Sequence, residues 1–259
     1  MHVVDEMEHF YKTLNITDFH ISDLDPTVSE KRTRAICHEL IKRKLPITWK
    51  LAQGTKIETI KTEETLELMK EAGCVFVSFS PESGSTRLLE IMNKPFDHAH
   101  GLKMAKKMHQ LGIRTQSVFI AGVPGETEAD RKMSLDYATK LIKAGVDEIS
   151  CVIFTPLPGA ALSKELNDFN HYSQCTPSPT WRKDYKVVLA YRRRMYSNYF
   201  FRKALYHPFK VVHEVRRLLN GKFETKMEMS LFKQLKLYVL RYCPWVFKQL
   251  DAKAILPIK

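Results

Sequence analysis

Short apolar or β-branched segments recur along the chain, and each is followed by a turn and a stretch with helical spacing. These segments occupy residues 16–21, 47–51, 74–79, 114–121 and 148–154. Nearly continuous apolar strands that alternate with helices are typical of a parallel sheet covered by helices. The pattern therefore predicts an α/β fold with five parallel strands. An open doubly wound sheet and a barrel have the same local signature, and periodicity does not separate them.

Helix-end signals support this alternation. Residues 29–44 place apolar side chains on one face and lysines and arginines on the other. Thr62 precedes two glutamates, which predicts an N-cap followed by an acidic first turn. The segment 127–130 (TEAD) predicts a capping box for a helix that runs to about Lys143, with Gly145 just beyond its end.

The predicted strand ends are rich in polar residues and glycine. These loops are 22–26 (SDLDP), 52–54 (AQG), 80–85 (SPESGS), 122–126 (GVPGE) and 155–159 (TPLPG). Carboxyl ends of parallel strands meet at one rim, so the loops predict a binding site there. Glycines admit a ligand close to the backbone, and carboxylates accept hydrogen bonds from ribose hydroxyls or an α-amino group, which favours a nucleoside-like ligand.

These loops also have a purely structural interpretation, and the chain lacks two common phosphate-binding motifs. Glu82 and Glu126 are alternatively first-turn carboxylates that complement helix dipoles, while the glycines only turn the chain. The chain has no G-x-x-x-x-G-K-[ST] segment and no G-x-G-x-x-G segment that opens a helix. A phosphate-cradling nucleotidase is therefore disfavoured.

Charge divides the 259-residue chain into two chemically different parts. Residues 171–259 hold 19 Lys and Arg against 5 Asp and Glu, whereas the remainder holds 22 against 24. The proline-containing loop 173–179 (SQCTPSP) predicts a linker between them. We therefore predict an α/β domain at 1–172, a linker at 173–180 and a basic, aromatic helical region at 181–259. Within that region, helices are expected on both sides of His207 and Pro208, and a further one at 229–240.

The mixture of basic and aromatic residues in this region suits an anionic membrane surface, where aromatic rings lie at headgroup depth. The alternative is that its helices pack against the α/β domain and leave a solvated basic face. A nucleic-acid backbone would offer similar charge, but no RNA-binding module is recognisable, so nucleic acid is an unlikely partner.

The predicted compartment follows from what the sequence lacks. No apolar run reaches the roughly 18 residues of a membrane span, and the first residues lack the features of a signal peptide. We predict a cytoplasmic protein, which would lie at the membrane surface if the basic region binds lipid rather than packing on the α/β domain. The cysteines, at 37, 74, 151, 175 and 243, are too far apart for a metal knuckle and are predicted to be reduced and mostly buried.

Three strand-end motifs, 81–85 (PESGS), 122–127 (GVPGET) and 155–159 (TPLPG), resemble in order and spacing the radical S-adenosylmethionine (radical SAM) superfamily. The resemblance is to its cobalamin-dependent branch, which includes anaerobic magnesium-protoporphyrin ester cyclase-like proteins. The helix at 3–6, the strand at 19–23 and the basic C-terminal helices are also similar to that branch. The resemblance implies a partial parallel TIM-type (βα) barrel, here without its first strand, with S-adenosylmethionine across the carboxyl ends of the strands.

The family also implies particular cofactor-contacting positions. Asp23 and Asp25 would lie near the methionyl part or the substrate, and Gln53 would face the cavity. The remaining positions follow at the later strand ends. By position they are Glu82 and Ser83 for ribose or the methionyl group, Gly122, Val123 and Gly125 near adenine, and Thr155 and Pro156 for backbone contacts.

The resemblance implies reductive cleavage of S-adenosylmethionine to a 5′-deoxyadenosyl radical, or cobalamin-dependent radical methylation or cyclisation of an unknown small molecule. A complete family member has a C-x-x-x-C-x-x-C loop for a four-iron, four-sulfur cluster and a cobalamin-binding domain, and no cysteines here have that spacing. We therefore expect an incomplete chain that is inactive as given, with no metal ligand and no residue identified as catalytic.

Other functional classes stay open at this point. One alternative is a non-catalytic remnant or nucleoside-binding protein with a membrane-binding basic tail. An ordinary barrel aldolase or isomerase ranks last, because no strand-end lysine has an obvious carboxylate partner.

Overall fold

The computed structural model describes residues 2–23, 25–156, 162, 165–166, 169–223 and 225–242. The strands are β1 (Asp18–His20), β2 (Thr48–Thr55), β3 (Cys74–Glu82), β4 (Arg114–Ala121) and β5 (Glu148–Ile153). The helices are α1 (His2–Leu14), α2 (Glu30–Arg43), α3 (Glu63–Glu71), α4 (Thr86–Ile91), α5 (His98–Gln110), α6 (Glu128–Ala144), α7 (Tyr185–Tyr206), α8 (Pro208–Leu219) and α9 (Lys226–Tyr242). Residues 157–159 of the last predicted strand-end motif, and Cys243, lie outside the described residues.

All five strands are parallel and lie in the order in which they occur along the chain. A doubly wound sheet would reverse this order at a switch point, whereas a barrel adds each strand beside its predecessor. The order therefore decides the question that periodicity left open. The sheet is part of a (βα) barrel, as predicted.

The two faces of the sheet differ in polarity and exposure. Along β4, alternate residues are buried and the residues between them are partly exposed. Gln116 lies on the partly exposed face of β4, where the buried Ser78 Oγ donates to its Oε1 at 3.2 Å and its Nε2 donates to the buried Glu148 Oε2 at 3.0 Å. The opposite face belongs to the apolar core with the helices. The core includes Leu51, Leu66, Phe79, Met104, Phe119 and Leu141.

Capping fixes where helices begin, and one predicted cap differs from the structure. Thr127 and Asp130 form the predicted capping box at α6. Thr62 lies at the N-cap of α3 but makes no side-chain cap hydrogen bond. Glu30 Oε1, from α2, instead accepts from the Lys61 and Thr62 amides at 2.9 and 3.3 Å. A carboxylate distant in sequence thus holds the backbone just before α3, while the Thr62 side chain does not cap the helix.

Helix α7 packs against α6 and β5, so it is the outer helix of the last βα unit. Its buried residues are three or four positions apart, as one helix face requires. They are Val188, Tyr191, Met195, Tyr199 and Lys203. The chain forms two compact units, 1–206 and 207–259. The predicted limits at 172 and 181 stay a prediction, although α7 belongs to the first unit.

The second unit contains α8 and α9. Arg217 Nη2 donates to Glu228 Oε1 at 2.6 Å, and the Phe223 and Phe232 rings lie 5.1 Å apart. The break between α7 and α8 falls at His207, where it was predicted. Within the part of the chain that the structure describes, no helix has the length and apolar character needed to cross a membrane.

Candidate functional site

An open cavity of about 520 Å³ lies at the carboxyl ends of β2 and β3, and we call it the strand-end cavity. It is lined by residues from the loop after β1, the two strand ends and the α4–α5 connection. These are Asp25, Gln53, Gly54, Thr55, Lys56, Glu58, Ser80, Glu82, Asn93, Lys94, Pro95 and Phe96. Three predicted cofactor residues, Asp25, Gln53 and Glu82, therefore meet at one cavity.

Glu82 is the last residue of β3 and has an unusual backbone conformation. Its φ is 60°, in the left-handed region that residues other than glycine rarely adopt. The pairing between β3 and β4 shifts register between Phe79 and Glu82, and such irregularities redirect side chains at sheet rims. The largely buried Glu82 carboxylate accepts a hydrogen bond from Lys94 Nζ at 2.5 Å. A charged pair therefore forms part of the cavity wall.

Asp25 is held in place by threonine hydroxyls. Its Oδ1 accepts from Thr55 Oγ1 at 3.1 Å and from Thr27 Oγ1 at 3.3 Å. Thr27 Oγ1 also lies close to Thr55 Oγ1 and 2.7 Å from Thr59 Oγ1. These contacts join the loop after β1 to the end of β2. They position the Asp25 carboxylate at the cavity wall.

The lining has more negative than positive groups. Three carboxylates, from Asp25, Glu58 and Glu82, stand against the ammonium groups of Lys56 and Lys94. Glu58 Oε1 is buried and has no hydrogen-bond partner among the described residues. Because this oxygen is itself inaccessible to solvent, it is not a contact that the open cavity offers to a ligand. The Phe96 ring adds an apolar surface for a planar group.

The glycine-rich turn after β4 is closed by its own glutamate. Glu126 Oε2 accepts from the Gly122 amide at 2.9 Å and from Arg131 Nε at 2.9 Å. Burial raises the pKa of Glu126, although hydrogen bonds from Arg131 and Gly122 act in the opposite direction. Glu126 thus stabilises the turn. This is a structural role, although it differs from the helix-dipole role considered from the sequence.

Arg182, which is distant in sequence and comes just before α7, also holds this turn. Its Nη2 donates to Gly122 O and its Nη1 to Phe154 O, each at 2.7 Å. An ion pair with Asp184, also at 2.7 Å, holds the guanidinium. A Cβ on Gly122 would lie 3.0 Å from Arg182 Nη2 and 2.9 Å from a Val188 methyl, which explains the need for glycine. Sequence reasoning missed Arg182, because it resembles the other basic residues around it.

The segment after Glu82 anchors β3 to α6. Ser83 Oγ lies 3.0 Å from Ser134 Oγ, and Ser85 Oγ donates to Asp130 Oδ1 at 2.5 Å. Arg87 also pairs with Asp130. Burial acts to raise the pKa of Asp130, but the hydrogen bonds from Arg87, Ser85 and Thr127 outweigh it and hold the pKa well below its usual range.

Seven of the ten predicted residues lie outside the lining of the strand-end cavity. Asp23 pairs with Arg32 at 3.0 Å, and Ser83 and Val123 are buried. The others make contacts within or beside their turns. Gly122 and Gly125 O accept from Arg182 and Arg87, Thr155 Oγ1 donates to Ile153 O, and Pro156 O accepts from Cys175 Sγ. Their assignment to the cofactor stays a prediction.

The described cysteines do not fit an iron–sulfur cluster. Cys37, Cys74 and Cys151 are buried, and Cys175 is exposed. Burial raises the pKa of Cys37 and Cys151 to about 12, and it raises that of Cys74 as well. Cluster ligands are thiolates. Among the described residues, no group of three or more His, Cys, Asp or Glu side chains could hold a metal ion.

Comparison with known proteins identifies the family. The sequence model of the radical SAM superfamily matches residues 2–138, more than half of the chain. The chain belongs to the radical SAM superfamily. It is 30% identical over 233 residues to the anaerobic magnesium-protoporphyrin IX monomethyl ester cyclase of Rubrivivax gelatinosus, a match that covers 85% of this chain and 40% of the relative.

Further relatives agree with the predicted branch. The corresponding cyclase of Cereibacter sphaeroides is 27% identical, with 85% of this chain and 37% of the relative covered. The chain thus spans about 40% of the length of these two cyclases.

A solved relative shares the fold. The radical S-adenosylmethionine methyltransferase TsrM of Kitasatospora setae, whose structure has cobalamin and a [4Fe-4S] cluster bound, is 22% identical with a TM-score of 0.55. The match covers 63% of this chain and 32% of TsrM. It confirms the predicted partial barrel.

Proposed function

We propose that this chain binds S-adenosylmethionine in the strand-end cavity and holds it for the radical chemistry of the cyclase-like branch. The observation that carries the proposal is the meeting of Asp25, Gln53 and Glu82 at one cavity. S-adenosylmethionine has a sulfonium, an ammonium and a carboxylate group, and therefore a net positive charge. The lining has one more carboxylate than ammonium groups, which complements that charge.

The lining offers a partner for each part of S-adenosylmethionine. The carboxylates of Glu82 and Asp25 accept hydrogen bonds from ribose hydroxyls or the ammonium group. Lys56 and Lys94 bind the carboxylate, and Phe96 packs against adenine. The volume of about 520 Å³ lies within the range of roughly 300–1,000 Å³ usual for small-molecule pockets.

The proposal assigns binding and orientation, and not electron transfer, to the described residues. Reductive cleavage in this family uses a four-iron, four-sulfur cluster, and the described residues provide no ligand set for one. Cobalamin, expected in the complete family member, is likewise assigned to no residue here. The buried thiols favour a second candidate, a nucleoside-binding protein without radical chemistry of its own.

Calorimetric titration with S-adenosylmethionine tests the binding site. Wild type and Glu82→Gln are compared, with Glu90→Gln as the matched control because Glu90 is an exposed carboxylate outside the lining. Hydrogen bonds to charged groups contribute about 1.5–3 kcal/mol, so Glu82→Gln should weaken binding about tenfold or more. Glu90→Gln should bind as wild type does. No binding by wild type, or equal binding by Glu82→Gln, would contradict the proposal.

Anaerobic reconstitution tests whether the chain performs electron transfer itself. After incubation with iron, sulfide and a strong reductant, we expect far fewer than four irons per chain and no 5′-deoxyadenosine, because the cysteines lack cluster spacing. Nearly four irons per chain together with 5′-deoxyadenosine would show that the chain performs electron transfer itself. That result would leave the proposed binding of S-adenosylmethionine intact, but it would contradict the limitation of the chain to binding and orientation.

A further inference from the structure

Helix α8 exposes an apolar face in the second unit. Phe209 is 89% exposed, Leu219 77%, Val212 62% and Val215 48%. Their spacing of three, three and four residues places them on one face of a helix. None of the α8 residues is buried. This set of four residues is called the α8 face.

The contacts described between α8, the turn that follows it and α9 use other residues. Arg217 of α8 pairs with Glu228 of α9, and Phe223 and Phe232 are in ring contact. A shallow depression of about 390 Å³ runs along the exposed side of α8. The packing described for this unit therefore leaves the α8 face open.

The second unit, which carries this face, is strongly basic in composition. Residues 207–259 hold 11 Lys and Arg against 4 Asp and Glu. Helical geometry places Arg216 between Phe209 and Val212 on the exposed side. An apolar stripe within a basic unit is the pattern of helices that lie in the plane of a membrane interface.

We propose that the α8 face docks onto the surface of an anionic phospholipid bilayer. Apolar side chains would enter the acyl–headgroup boundary while Arg216 and its basic neighbours bind lipid phosphates. The charge of the unit argues for this occupant over an electrically neutral one. A nucleic-acid backbone would match the charge but not the four exposed apolar side chains. The inference does not depend on S-adenosylmethionine binding.

Vesicle co-sedimentation of the full chain tests the proposal. Vesicles of phosphatidylcholine with phosphatidylglycerol are compared with phosphatidylcholine alone, and wild type should bind the anionic vesicles at least tenfold more tightly. The double substitution Phe209→Ser with Leu219→Ser should weaken that binding at least tenfold, and Arg216→Gln about fivefold. Leu14→Ser, which changes a 63% exposed leucine on α1, is the matched control and should have no effect.

Several outcomes would overturn the proposal. Equal binding to both vesicle types, or wild-type binding by the double variant, would exclude the α8 face as an anionic-lipid surface. A wild-type dimer that the double variant dissociates, with no vesicle binding, would assign the face to a second copy. If the double variant melts at a lower temperature than wild type, and wild type does not bind vesicles, the chain itself covers the face. Binding of an RNA oligonucleotide that the double variant retains, without vesicle binding, would assign the charge to nucleic acid.

Discussion

Arg182 is predicted to be a major stabilising residue of the α/β unit. Its buried guanidinium donates to the carbonyl oxygens of Gly122 and Phe154, which follow β4 and β5. A hydrogen bond that involves a charged group contributes about 1.5–3 kcal/mol, and a buried carbonyl without a partner adds a penalty. Arg182→Ala should therefore lower the free energy of unfolding by about 3–5 kcal/mol. Arg182→Lys should recover part of this loss, because lysine keeps a charged donor. The recovery should be incomplete, because lysine lacks the planar fork that reaches both carbonyls.

Urea unfolding followed by circular dichroism measures this effect. The matched control is Arg193→Ala, which removes an exposed arginine from the same part of the chain and should change the unfolding free energy by less than about 0.5 kcal/mol. The melting temperature of Arg182→Ala should fall by roughly 10 °C, since about 1 kcal/mol shifts it by 2–4 °C at this size. If Arg182→Ala unfolds at the same urea concentration as Arg193→Ala, the stabilising role of Arg182 is refuted.

Two further predictions concern Asp130 and the cysteines. The pKa of Asp130 is lower in the folded protein than in an unfolded chain, so its stabilising contribution is complete above about pH 4 and is lost as the pH falls through the folded value. Asp130→Asn should therefore cost about 2 kcal/mol of unfolding free energy near neutral pH and less at about pH 3, and an equal cost in urea unfolding at both would contradict this. Brief alkylation followed by peptide mass spectrometry should label Cys175 and spare Cys37, Cys74 and Cys151, because those thiols are buried and protonated. Labelling of Cys74 as fast as Cys175 would count against that explanation.

The strands could be predicted from the sequence because their middle residues are apolar. The residues at which the strands end could not be predicted in this way. β2 continues to Thr55 and β3 to Glu82, beyond the apolar runs that ended at Leu51 and Phe79. The additional residues include Gln53 and Glu82, which line the cavity and are polar for that reason. Hydrophobic patterning therefore underestimates the length of a strand that ends in a binding site.

The position of α7 was also beyond the reach of patterning. Its buried face includes Tyr191, Tyr199 and Lys203, while Phe200 and Phe201 are exposed. Lys203 Nζ is buried because it donates to Asp147 O at 2.6 Å, a partner distant in sequence. Since polar and apolar residues occur on both sides of the helix, its sequence does not indicate which side packs on the sheet.

The candidate site was predicted in part. Asp25, Gln53 and Glu82 meet because the carboxyl ends of parallel strands share a rim, which the sequence pattern implies. Lys94 was missed because it belongs to the connection between α4 and α5 and approaches Glu82 only through the fold. Likewise, no local signal identified Glu58 as a residue of the lining.

Hydrogen–deuterium exchange with and without S-adenosylmethionine tests the central claim most directly, because it locates the ligand without a substitution. At saturating ligand we expect slower amide exchange in the peptides that line the strand-end cavity, 53–58 and 80–96, and no change in α8. Unchanged exchange in both cavity peptides, at a ligand concentration where calorimetry shows saturation, would contradict the assignment of S-adenosylmethionine to this cavity.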